Sequence, residues 1–199
     1  MVKKQQVQMK MLAKVLNIIC NVVFWIMAVA FGLFLIANIV LLFIPEKNLI
    51  ISANVSGSLA ATLNGTQLFK FDPQTIGDIM IKHFLQAAFV WATIVILTVS
   101  IVLFEVKRIL KTVVEDNPFK KGNSKNLTVI SLVLIAGSFI LPIFEGRVFS
   151  AAIKTLQIGN INIGYSMNWT LLLTGILILI LAGVFQYGNY LQEEVDSTL

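Results

Sequence analysis

LNIICNVVFWIMAVAFGLFLIANIVLLFI, residues Leu16–Ile44, contains no Asp, Glu, Lys or Arg. As an α-helix at ~1.5 Å per residue it extends about 42 Å. That exceeds the roughly 30 Å hydrocarbon layer of a bilayer, so a tilted or protruding span is expected. Before it, Lys3, Lys4, Lys10 and Lys14 alternate with Val7, Met9, Met11 and Leu12, which reads as an amphipathic lead-in at the lipid headgroups. Ala28-Val29-Ala30 has the small-x-small look of a signal-peptide cleavage site, but Phe31–Ile44 continues the apolar run. Cleavage would leave a new N-terminus buried in oil, so an uncleaved span is expected.

Three further uncharged stretches follow, at about 84–104, 127–144 and 169–185. Asp72-Pro73 has the form of a helix cap followed by a first-turn proline, predicting a helix from about Pro73 to Val114. Asn117-Pro118 should end it, because proline disfavours helical geometry in the residue before it. Between the first two spans, residues 45–72 are strand-like, with Asn64-Gly65 as a hairpin turn. Residues 145–168 form a second loop in which Thr155–Ile163 alternates in strand fashion. The fold class expected is an all-α membrane protein: a four-transmembrane-helix bundle with a small extracytoplasmic β-sheet formed by the two outer loops. Residues 1–199 then form a single membrane domain, with a cytoplasmic loop at 105–126 and a tail at 186–199.

The whole composition agrees with this solvent. Of the 199 residues 57% are hydrophobic and only 13% charged, against roughly 25% charged in ordinary globular chains. The net charge of +5 could suggest nucleic acid, but the basic residues sit beside the hydrophobic spans, as lipid-anchoring cations do. Ten Lys/Arg residues fall in the N-terminal and middle segments and five in the two outer ones. The positive-inside bias therefore predicts a multi-pass protein of the bacterial cytoplasmic (inner) membrane with both termini cytoplasmic.

Reactive chemistry is sparse. His83 is the single histidine and Cys20 the single cysteine, so no metal-ligand cluster and no intrachain disulfide is expected. No nucleophile elbow or phosphate-binding glycine loop occurs. No catalytic, cofactor-binding or metal site is assigned, and a non-enzyme is expected. The span cores lack ionisable residues, which disfavours a coupled transporter. Glu105 and Glu145 stand at span ends, within expected reach of solvent or headgroups. Asn17, Asn21, Asn38, Gln86 and Ser100 are polar spots suited to interhelical hydrogen bonds. The Asn-x-Ser/Thr triplets at Asn54, Asn64, Asn126 and Asn168 read as chance matches rather than glycan sites.

Two segments on the predicted cytoplasmic face stand out. One is basic, Asp116 to Leu127; the other is acidic, Gly188 to Leu199. A mutual clamp is one reading and a docking surface the other. Their residues carry a resemblance: Asn117, Pro118, Phe119, Asn123 and Leu127, together with Gly188, Leu191, Gln192, Glu193, Glu194, Asp196 and Thr198. This pairing resembles the signatures of the bacterial four-span membrane family catalogued as domain of unknown function 2975. Val195 and Ser197 depart from the Asn and apolar residues of that pattern.

The resemblance implies no activity. It implies, by analogy, a cytoplasmic helix-turn-helix regulator as partner. Expected function is accordingly a membrane regulator or sensor whose outer loops perceive an envelope ligand, such as a peptide, and whose inner face holds the regulator. The candidate interaction residues are Asn117, Pro118, Phe119, Asn123, Gly188, Leu191, Gln192, Glu193, Glu194 and Asp196. The alternatives are an immunity protein against a membrane-active peptide toxin and, behind it, a small channel or transporter.

Overall fold

The computed structural model describes residues 2–51, 59–63, 66–71, 79–115, 120–156 and 164–197. Four helices dominate: α1 (Val2–Phe43), α2 (Lys82–Val114), α3 (Lys121–Thr155) and α4 (Trp169–Ser197). All four are long and apolar enough to cross a membrane. Their packing is inside-out relative to a water-soluble domain. Trp25, Val29 and Leu33 are each 62% exposed, whereas Asn123, Ser131 and Ser138 are at 0%. Apolar side chains can face outward at no cost only where the solvent is lipid, and polar ones then gather between helices. The chain is a multi-pass membrane protein.

The helices pack in chain order, α1 on α2, α2 on α3 and α3 on α4; among the described residues no other helix pair packs extensively. The bundle is thus an open antiparallel row with α1 and α4 at its edges. Between α1 and α2 the seam is aromatic, with Phe34 edge-on to Phe89 (ring centres 5.5 Å apart) and Phe24 against Phe104 (5.9 Å). Asn38 Nδ2 donates to Thr93 Oγ1 (3.2 Å) and Lys107 Nζ to Asn21 Oδ1 (2.6 Å), locking the register.

Several expected boundaries move. The lead-in is continuous with the first span in one helix, α1, from Val2, because no proline or glycine precedes Gly32. Helix α2 starts at Lys82, and Ile79–Met80 before it forms a strand; the expected cap at Asp72-Pro73 lies outside the described residues. That strand, β4, pairs antiparallel with β1 (Ile50–Ile51), bringing the two ends of the α1–α2 connection beside each other. Within the loop, β2 (Leu59–Leu63) pairs with β3 (Thr66–Phe71), with a register shift after Ala61. Asn64-Gly65 lies outside the described residues.

Among the described residues no sheet joins the two outer loops. Thr155, expected to begin a strand, ends α3, and Gln157–Ile163 lie outside the described residues. The expected tail is helical to Ser197. The basic connector is helical from Lys121, because Asn123, Ser124 and Asn126 turn inward and find partners there, overriding their weak helix propensity.

Pro142 sits inside α3. It cannot donate to the Ser138 carbonyl one turn earlier. The backbone N–H of Asn168 fills that position (3.0 Å), while Asn168 Oδ1 accepts from Leu171 N (3.1 Å) and caps α4. One proline and one asparagine therefore tie the start of α4 to α3. This accounts for the Asn168 triplet structurally; Asn126, 7% exposed, is likewise occupied inside.

Candidate functional site

Polar residues converge where the C-terminus of α2, the N-terminus of α3 and the C-terminus of α4 come together (the motif end). Glu105, expected at a wet span end, is instead 7% exposed between α2 and α3. Its carboxylate accepts from Arg108 Nη1 at 3.2 and 3.4 Å. The Asn126 amide, oriented to satisfy its neighbours, donates to Glu105 Oε2 (3.1 Å) and to the Gly122 carbonyl (3.1 Å). One turn further along, Asn123 Nδ2 donates to Thr112 Oγ1 (2.5 Å). A buried carboxylate held by a guanidinium and an amide is well satisfied, and such networks fix one arrangement of the helices.

A second seam joins α3 to α4. Ser124, Ser131 and Ser138 recur every seventh residue on α3, as do Gly175, Ala182 and Asn189 on α4, and all six are buried. Ser124 Oγ donates to the Ala182 carbonyl (2.9 Å), and a Cβ on Gly175 would stand 3.1 Å from the Ser131 carbonyl. A seven-residue repeat of small side chains keeps two helices face to face with a left-handed crossing and lets their backbones approach closely. At the tips, Lys121 Nζ lies 3.6 Å from Glu193 Oε1, both well exposed.

The expected interaction residues divide along these seams. Asn123 is fully buried, and its amide serves the α2–α3 contact. Gly188 is half-buried, while Leu191, Gln192, Glu193 and Glu194 are exposed on the last turns of α4. Asp196 lies on the α4 backbone; Asn117, Pro118 and Phe119 lie outside the described residues. A groove of about 510 Å³ runs beside these turns, lined by Lys121, Lys125, Gln186, Asn189, Tyr190 and Glu193 among others. Sequence reasoning missed the serine repeat, although its spacing was there to be counted.

At the other end of the same helices, α2 and α3 border a cavity of about 730 Å³ lined by His83, Arg147, Ser150, Lys154 and Tyr165 among others. His83 Nε2 lies 3.2 Å from Glu46 Oε1, pairing the start of α2 with the turn after α1. Tyr165 lies directly over Gly146, where any Cβ would collide with its ring. Among the described residues no group of three or more His, Cys, Asp or Glu converges to hold a metal ion.

No curated protein and no solved structure matches the chain. One family does, described as "Protein of unknown function (DUF2975)", over residues 71–199. The match takes in α2, α3 and α4 and both seams of the motif end. On that coverage, which is well over half of the sequence, the chain belongs to the DUF2975 family.

Proposed function

We propose that this protein is a non-enzymatic regulator of the bacterial cytoplasmic membrane that holds a cytoplasmic helix-turn-helix protein at its motif end and responds to the envelope at the other. The positive-inside bias supports a cytoplasmic motif end and cytoplasmic termini. The first outer loop, with its β2–β3 hairpin, then faces the envelope, and the second outer loop joins it in one extracytoplasmic surface. The observation that carries the reading is the reach of α3. One helix of 35 residues bears Asn123 and Asn126 at one end and Arg147 and Lys154 at the other. It spans about 51 Å at ~1.5 Å per residue.

A displacement at the outer cavity is thereby delivered to the seam that presents α4. The exposed ion pair Lys121–Glu193 is a poor candidate for a stability device, since such pairs contribute only about 0–1 kcal/mol. The acidic turn is better placed to meet a basic protein, and helix-turn-helix proteins carry basic surfaces for DNA.

The test is co-purification of the full chain with the co-expressed regulator from membranes. Glu193→Ala/Glu194→Ala is expected to shift the melting midpoint by less than the equivalent of about 1 kcal/mol and to lower recovery of the regulator about ten-fold. Recovery equal to wild type, or no regulator bound to either chain, would contradict the proposal.

A further inference from the structure

The cavity at the end remote from the motif is not a closed bowl. It adjoins a second cavity of about 340 Å³ that shares His83, Ala87 and Arg147 and is also lined by Gln86, Val90 and Phe144. Gln86 and Val90 also border a groove of about 320 Å³ on the α1–α2 surface, beside Leu35 and Leu42. A cationic mouth, an apolar floor and a helix face on which Leu42 is 60% exposed therefore lie next to one another.

The mouth is built by α3. Arg147 and Lys154 are two turns apart on one helix face, about 10 Å along the axis at ~1.5 Å per residue. Ser150 and Ala151 lie between them on the same lining. Arg108, Lys111 and Lys121 each have an acidic partner within 4.0 Å. Among the described residues Arg147 and Lys154 have none, and Glu46, the nearby acid, is engaged with His83. Glu145 lines a different groove, on the α4 side of α3. Two cations flanking a hydroxyl suit a phosphate, whose oxygens accept from a guanidinium in pairs and from an ammonium as a point charge.

We propose that this cleft binds one anionic phospholipid, with its phosphate between Arg147 and Lys154 and an acyl chain along Val90 and Phe144 toward the α1–α2 groove. A soluble phosphate would use the mouth and leave the apolar floor empty; a neutral lipid would use the floor and leave two cations uncompensated. The cleft matches both halves of the amphiphile. As a signal, this lipid deepens the envelope-sensing reading and rests on it; as a binding event it stands alone.

Native mass spectrometry of the full chain, released from nanodiscs into neutral detergent, reads the binding directly. Phosphatidylglycerol is expected to be retained about ten-fold more than phosphatidylcholine, equivalent to ~1.4 kcal/mol. Arg147→Gln/Lys154→Gln should abolish that preference, and Arg147→Lys/Lys154→Arg should keep it, each with an unchanged melting midpoint. Ala87→Phe, which takes up space in both cavities without changing a charge, should also lose the lipid. Equal retention of the two lipids would overturn the proposal, as would a preference that survives the glutamine pair. Displacement of phosphatidylglycerol by an equal concentration of glycerol 3-phosphate would overturn it in favour of a soluble ligand. A chain that binds phosphatidylglycerol but recovers no regulator keeps this site and sinks only the relay.

Discussion

Gly175→Leu is expected to part α3 from α4 and to lower stability in detergent by about 1–3 kcal/mol or more, the usual cost of overpacking a filled contact. The reason is the nature of the atoms it would meet. A Cβ at Gly175 stands 2.7 Å from Ile135 Cγ1 and 3.1 Å from both the Ile135 nitrogen and the Ser131 carbonyl oxygen. The isoleucine methylene can turn aside, but the two backbone atoms cannot move without moving α3 itself. Separation would also stretch the Ser124–Ala182 and Asn168–Ser138 hydrogen bonds, which lie on either side along the same seam. Gly183→Leu is the control, because nothing lies within 4 Å of its added carbon. It should change stability by no more than about 0.5 kcal/mol, as surface substitutions do. Equal effects from the two leucines would refute the tight α3–α4 seam.

Glu105→Ala carries the second large effect. Removing the carboxylate leaves the Asn126 amide without one of its acceptors at a position only 7% exposed, and leaves Arg108 without its ion-pair partner. An orphaned buried donor costs about 1–3 kcal/mol. The Arg108 side chain is 56% exposed, so water and headgroups take over its share and the total should stay near about 2–3 kcal/mol. Glu105→Gln keeps an acceptor for Asn126 and should cost about 1 kcal/mol or less. Chemical unfolding of the three chains in one detergent orders them. An alanine variant as stable as wild type would place Glu105 in solvent after all.

Four spans were legible because charge is so costly in hydrocarbon that its absence over about twenty residues points to lipid as the solvent. The ends of those spans were not. Lys121–Asn126 looks like a loop by composition, and only the presence of α2 and α4 makes its polar side chains good helix residues: Asn123 needs Thr112, Ser124 needs the Ala182 carbonyl and Asn126 needs Glu105. Each partner is distant in sequence or on another helix, so local propensity points the wrong way.

The same blindness placed Glu105 in water. A residue next to an uncharged run reads as a boundary, and nothing nearby reveals the amide that covers it. The serine repeat is different, since positions 124, 131 and 138 and their counterparts 175, 182 and 189 are evident once seven is the spacing counted. Asn123 shows the converse, in that membership of a motif suggested a surface whereas the side chain is interior. The cleft remote from the motif end was beyond reach of the sequence, because Arg147 and Lys154 become its mouth only once α2 supplies His83 and Gln86 across from them.

Single-cysteine labelling in intact cells tests the antiparallel row and its orientation most directly. With Cys20→Ser as background, a membrane-impermeant maleimide should reach Lys154→Cys in unbroken cells. Lys125→Cys and Ser197→Cys should react only after the membrane is opened. Labelling of positions 125 and 197 from opposite faces would contradict the fold's placement of α3 and α4 and, with it, a shared cytoplasmic surface at the motif end.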